Sequence, residues 1–404
     1  MFYKKRGLFF FLMLLCTLCT IPSMAVPSVK DASTPNTTAP VFILMDASNG
    51  DILASKDAQQ PFLSGDMNKL MTANVIFSVL KQGKITLDTE YPISEHAWQH
   101  GRGGSMFALV NSRIRVEDLL RGITVLSTDD GAIALAEGLT SGKEEAFVAL
   151  MNNQAKLLGL RETFYINSTG SGDEPQYTTA RDIAVLAFHL MRSYPEYYRL
   201  YKEKSFTWSK IEQLNKNPLL LLEPTANGLK SARKTTDGIS LVGTAGQTDK
   251  QLIVVVAKMD DSHKAATEAQ KILQWGFEHF TERSLFPEQE PIAFIKVYGG
   301  KERQVALVAD KAVNILWQQG SAERISMRID YKGPLVAPIQ KNEAVGYLNV
   351  MKNGVLTVSF PVYTATDIAE GSLYAKATSA IEELSGRTFR GLWQKIVASI
   401  KKKQ

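Results

Sequence analysis

The chain has 404 residues, enough for two or three folded units. Its composition, 45 % apolar and 22 % charged, excludes wholesale disorder, collagen-like repeats and a multi-span membrane protein. The formal charge is +5, and three of the cations are Lys4, Lys5 and Arg6; the positive balance left for a folded body is too small to argue for nucleic-acid binding.

In chain order, residues 1–25 predict an export signal: the three cations, an apolar run Leu8–Ile21 broken by Thr17 and Thr20, then Ser23-Met24-Ala25 as a small-x-small cleavage site. Cleavage would leave Val26 first, and it would remove both cysteines, Cys16 and Cys19, so neither a disulfide nor a thiolate site is expected in the mature chain. Residues 26–39 are rich in Ser, Thr, Pro and Ala and predict a flexible leader. A first domain is expected over 40–283. It opens with a strand Val41–Met45, an Asn49-Gly50 turn and a return strand Asp51–Ala54. Helical spacing follows over Met67–Lys81, Arg115–Leu126, Ala132–Glu137, Glu145–Leu158 and Thr179–Met191. Strands are then expected at Ile239–Val242 and Leu252–Val256, around a turn at 246–249, and a last helix over Ala265–Phe280. The order strands, helical block, strands, helix predicts an α+β layer arrangement. Residues 287–370 hold short β-rich runs between turn signals and predict a small all-β domain. In the last segment, 371–404, a linker leads to Phe389, Leu392, Trp393, Ile396, Val397 and Ile400 at helical spacing among six cations. This is the composition of an amphipathic helix lying on an anionic membrane surface; a helix docked on the β domain is the alternative.

Three clusters carry the polar residues that could do chemistry. Asp66-Met67-Asn68-Lys69 begins the first helix, Ser127-Thr128-Asp129 follows the Arg121–Leu126 run, and Gly228-Leu229-Lys230-Ser231-Ala232 stands ahead of a strand. Asp66 and Lys69 lie one turn apart at a helix start, which predicts an internal ion pair. With Leu119–Ile123, Gln176–Asp182, Tyr201–Thr207, Gln274–Phe277 and Pro338–Asn342, these clusters resemble the D-alanyl-D-alanine carboxypeptidases. Those are the low-molecular-mass penicillin-binding proteins with S-x-x-K, S-x-N and K-T-G motifs. The resemblance spans about residues 40–370.

The resemblance implies a penicillin-binding, serine β-lactamase-like domain: a helical block on an antiparallel sheet. It assigns Asp66 to the nucleophile position, Lys69 to the general base and Ser127 to a proton relay. It assigns Asp129, Lys230, Ser231 and Ala232 to substrate binding, the strand lysine taking a terminal carboxylate and backbone N–H groups the oxyanion. All three motifs depart from the family. Asp66 replaces the serine nucleophile, Asp129 replaces an amide, and Ala232 puts a methyl group where glycine lets substrate approach. Attack on an amide by a carboxylate gives a mixed anhydride that collapses backwards, and loss of a nucleophile costs on the order of 10⁶-fold in rate.

Other readings compete at four residues. Ser78-Val79-Leu80-Lys81 is a literal S-x-x-K late on the same helix, without the helix-start context, and Ser64 lies two residues before Asp66 with no Lys three residues on. His96 and His100 read as a surface or loop pair, since Glu95 points away from them. No metal or cofactor is expected. The expected protein is exported and periplasmic, peripheral on the outer face of a bacterial inner membrane, and faces peptidoglycan or its stem peptides; the sequence names no protein partner. The expected member is catalytically silent, with an envelope binding or scaffolding role. The alternatives are a carboxypeptidase working by an altered mechanism and a purely structural envelope module.

Overall fold

The computed structural model describes residues 34–101, 104–172, 175–233 and 235–372. The expected signal, most of the leader, and the tail with Phe389, Leu392, Trp393, Ile396, Val397 and Ile400 lie outside the described residues. Among the described residues no helix is long and apolar enough to cross a membrane.

A five-stranded antiparallel sheet organises the first domain. Its spatial order is Ile52–Lys56, Val41–Asp46, Lys250–Met259, Ile239–Gln247, Ala226–Ser231. Both faces are covered, so its central strands carry continuous apolar runs, Val41–Met45 and Leu252–Ala257. Period-2 alternation divides the residues between two cores. Ile43, Met45, Val242, Ile253 and Val255 face the helical block, while Phe42, Leu44, Leu241, Val254 and Val256 face the helix Ser262–His279. Gly276 allows that helix its close approach, since a Cβ there would stand 2.8 Å from side-chain carbons of Leu44 and Leu252.

The helix Asn68–Lys81 runs through the middle of the helical block, and every residue from Asn68 to Phe77 is buried. Around it pack Asp129–Leu139, Glu144–Leu158 and Ala180–Ser193, the last capped by the Thr179 side chain accepting from Asp182 N–H. The expected single helix over Arg115–Leu126 is instead α-helical at Val116–Arg121 and π-helical over Gly122–Leu126. The wider turn ends on Ser127 in the left-handed region, φ 61°, which no apolar periodicity foretells. The next helix begins at Asp129 rather than Ala132, because Asp129 and Asp130 suit a helix N-terminus. Residues 226–231 form the edge strand itself, so Lys230 and Ser231 lie on a strand and not ahead of one. The short helix Glu95–His100 and the hairpin Ser205–Trp208 with Ile211–Leu214 had no strong periodic signal.

The β-rich domain contains a six-stranded sheet ordered Ile325–Tyr331, Ala344–Lys352, Val355–Thr364, Gln304–Val308, Ala293–Tyr298, Leu335–Val336. The strand Phe280–Phe286 runs across the expected boundary at 283–287 and pairs with Val313–Gln318. Leu307, Val313, Leu348 and Val362 form its small core. Two polar contacts tie it to the first hairpin: Lys352 Nζ donates to Asp51 Oδ2 at 2.5 Å, and Asn49 Nδ2 donates to the Asn314 carbonyl at 3.2 Å.

Candidate active site

Three elements meet at a cleft beside the edge strand. The short strand Phe62–Leu63 pairs with Tyr177–Thr178, and a 3₁₀ turn Gly65–Met67 then feeds the buried helix. This entry puts Asp66 at the cleft floor and Lys69 one turn inside. The left-handed Ser127 leads Asp129 in from the second element, and the edge strand brings Lys230, Ser231 and Ala232. The loop at Gly170 packs so close to the entry turn that a Cβ on Gly170 would stand 1.7 Å from the Gly65 carbonyl oxygen; its φ of +82° also favours glycine. All seven residues expected at the site come together.

Lys69 Nζ lies 2.5 Å from Asp66 Oδ1, the ion pair that their spacing predicts. It also lies 2.7 Å from Asp129 Oδ1 and donates to the Thr169 carbonyl at 2.9 Å. Arg233, absent from the sequence reading, completes the cluster. Its Nε donates to Asp66 Oδ2 at 2.9 Å and its Nη2 to Asp66 Oδ1 at 2.6 Å; Nη2 also reaches Asp129 at 3.0 and 3.1 Å. The Arg233 backbone N–H donates to Asp66 Oδ2 at 2.9 Å. Ser171, also missed, bridges the far side: its hydroxyl donates to Asp129 Oδ2 at 3.0 Å and accepts from Arg233 Nη2 at 2.8 Å. Two buried carboxylates thus share two cations. Burial alone would push the Asp66 carboxyl up, but the charges of Lys69 and Arg233 and the Arg233 hydrogen bonds outweigh it and hold Asp66 well below the usual carboxylate range.

Beside this cluster, Lys230 has only neutral acceptors among the described residues. It donates to the Ile123 carbonyl at 2.7 Å and to Ser127 Oγ at 3.1 Å. Burial first, and then repulsion from Lys69, push its ammonium down to about 7. The Ser231 hydroxyl is buried with no hydrogen-bond partner among the described residues, and Ala232 spends its N–H on the Ser240 carbonyl within the sheet. Asp130, next to Asp129, braces the opposite wall: it accepts from Ser105 Oγ at 2.6 Å and from Met106 N–H at 3.1 Å.

The competing serines lie elsewhere. Ser64 Oγ donates to the Gln176 carbonyl at 3.3 Å in a buried position, and Ser78 accepts from Gln82 Nε2 on the helix surface. His96 and His100 sit on the short helix with rings 4.4 Å apart, and His96 Nδ1 lies 2.9 Å from Glu137 Oε1.

A carboxylate at residue 66 that already accepts a backbone N–H and two cations is a stable anion, and Lys69 between two carboxylates is committed to charge pairing. Residues 28–262 match the D-alanyl-D-alanine carboxypeptidase family, and residues 280–370 match the C-terminal domain of penicillin-binding protein 5. The chain belongs to the D-alanyl-D-alanine carboxypeptidase family. It is 32 % identical over 361 residues to D-alanyl-D-alanine carboxypeptidase DacC of Escherichia coli, covering 87 % of this chain and 90 % of that protein. To DacA of Haemophilus influenzae it is 32 % identical over 348 residues, covering 85 % and 88 %. The crystal structure of penicillin-binding protein 5 from Haemophilus influenzae superposes with a TM-score of 0.73 at 31 % identity, covering 84 % of this chain and 99 % of that one. The expected fold class, a penicillin-binding α+β domain followed by an all-β domain, is the fold of these relatives. The family acts on peptidoglycan as a serine peptidase.

Proposed function

We propose that this member is catalytically silent toward D-alanyl-D-alanine and keeps its cleft as a binding site for peptidoglycan stem peptides. The carrying observation is Asp66, an anion at the nucleophile position held by Lys69 at 2.5 Å and by Arg233. No alkoxide can form there, and Lys69 is a structural partner instead of a base. Lys230, Ser127 and Ser231 remain as donors toward a ligand carboxylate. Incubation with labelled penicillin followed by intact mass measurement should give no adduct, and no D-alanine should leave a pentapeptide. A stoichiometric adduct overturns the reading. The residual alternative is acyl transfer by an altered mechanism, favoured by the Ser127–Lys230 pair at 3.1 Å; an adduct mapped to Ser127 would establish it. Retention on purified sacculi separates a binding role from a purely structural one.

The same proposal places the protein outside the inner membrane after export, held there by Phe389, Leu392, Trp393, Ile396, Val397 and Ile400 and the neighbouring cations. Ending the chain near Ser385 should release it from anionic vesicles. Added salt should weaken binding of the full chain without abolishing it, because apolar contact is not screened. Unchanged vesicle binding by the truncated chain rejects the anchor.

A further inference from the structure

Arg233 does more than balance charge. Cavities of about 770 and about 850 Å³ lie on its two sides, and Asp66 and Arg233 are the residues that line both. The two spaces differ in chemistry. The first is lined by Ser127, Ser231, Gln213 and Lys216, and two of its polar atoms, Ser231 Oγ and Gln213 Nε2, are buried without a hydrogen-bond partner among the described residues. The second is lined by Leu63, Tyr177, Thr235 and the glycine-rich turn at 170–172. A peptide ligand that places its terminal carboxylate in the first meets Lys216, Ser127 and the Ser231 hydroxyl there. Its preceding residues must then pass into the second. The guanidinium of Arg233 stands at that crossing, fixed by Asp66, Asp129 and Ser171. Charge-assisted bonds of this kind are about twice as strong as neutral ones, and they hold the guanidinium at this crossing. Its Nη1 finds no acceptor among the described residues, and a Cβ built on Gly104, in the first cavity's wall, would stand 3.5 Å from it. The outward N–H groups therefore face the carboxylate side.

We propose that Arg233 is a partition across the groove: it receives the carboxylate end of a short ligand in the first cavity and prevents a longer peptide from running through both. This rests on the retained-cleft reading above, and deepens it by setting the length of ligand the cleft accepts.

The test compares the affinities of acetyl-D-alanyl-D-alanine and a stem pentapeptide with the same ending, measured by calorimetry on the full chain. For the wild type the two affinities should agree within about threefold, because the extra residues gain no contacts beyond Arg233. Arg233→Ala should join the cavities and raise the pentapeptide-to-dipeptide ratio by at least about tenfold. Arg233→Lys keeps a cation for Asp66 and Asp129, so it should fold even where the alanine variant does not. A lysine cannot span both carboxylates, and the ratio should rise by at least about threefold. A wild-type preference for the pentapeptide above threefold, or a smaller rise in a folded variant, overturns the partition while leaving the silent site intact. Failure of both peptides to bind any form rejects the retained cleft and the partition with it. A penicillin adduct rejects silence alone.

Discussion

Lys69 and Lys230 are both buried in the floor of one cleft, with relative exposures of 0 % and 3 %, yet their surroundings are opposite in kind. Lys69 touches two carboxylates within 2.7 Å. Lys230 touches a carbonyl and a hydroxyl, and its ammonium is pushed down to about 7. Desolvation opposes the charge of each; only at Lys69 is it offset by anions in direct contact. Burial alone therefore does not decide what a cleft lysine does. The Asp66–Asp129 side of the cleft is saturated internally, whereas the Lys230–Ser231 side keeps donors for a ligand.

The contrast is broken most directly at Lys69. Lys69→Met strands two buried carboxylates with Arg233 as their remaining cation and should cost roughly 3–5 kcal/mol in urea unfolding. A loss below 1 kcal/mol, on that same scale, would show that the buried pair is not what holds this side together. Next in size is a gain of chemistry. Asp66→Ser alone leaves Lys69 paired with Asp129 at 2.7 Å and should acylate with penicillin at a negligible rate. Adding Asp129→Asn and Ala232→Gly frees Lys69 and reopens the edge strand, and the acylation rate should rise at least about a hundredfold over Asp66→Ser, or about 2.7 kcal/mol in barrier. Full activity in the single variant would contradict the charge-pairing account.

At Lys230 the expected loss is smaller. Lys230→Met leaves Ile123 O and Ser127 Oγ without their donor and should cost roughly 1–3 kcal/mol near pH 8. The pH dependence has a defined sign. The unfolded lysine titrates near 10.5 and the folded one near 7, so between those values the unfolded chain binds more protons and native stability rises with pH. The gap between wild type and Lys230→Met should widen from pH 7 to 10, by at most about 1.4 kcal/mol per pH unit. A gap that stays flat or narrows over that range would mean Lys230 is charged in the folded state. The smallest effect belongs to the contact between domains. Lys352→Ala removes the partner of the buried Asp51 and should cost about 1–2 kcal/mol, seen as faster hydrogen exchange where the β-rich domain meets the first hairpin. Unchanged exchange there would mark the contact as incidental.

Much of the first domain was legible because its signals are local. Continuous apolar runs along Val41–Met45 and Leu252–Val256, and helical spacing along Asn68–Lys81, follow from burying one or both faces of an element. The three clusters at Asp66, Ser127 and Lys230 were legible from their resemblance to a family, and the Asp66–Lys69 pair from an i, i+3 interval. The helix Glu95–His100 had a cap signal in Ser94, whose side chain accepts from Ala97 N–H, but six residues carry too little periodicity to stand out. Arg233 could have been suspected from charge alone: two carboxylates had entered a cleft that held two lysines, and an arginine stood next to Ala232.

What the sequence by itself determined was which side chains stand in the three clusters: a carboxylate at residue 66, a carboxylate at 129, and a methyl group at 232. Those are facts of composition at fixed positions, and their chemistry holds in any conformation. What only the tertiary structure decided was how the charges are shared. Asp66 and Arg233 are separated by 167 positions, and Lys69 and Asp129 by 60, so no local spacing relates them. Their pairing depends on the left-handed turn at Ser127, the entry turn at Gly65–Met67 and the end of the strand Ala226–Ser231 meeting at one point. The difference between Lys69 and Lys230 arises there as well. Identical side chains on neighbouring elements meet different acceptors, and the electrostatic energy of a buried charge depends on the few groups within contact distance.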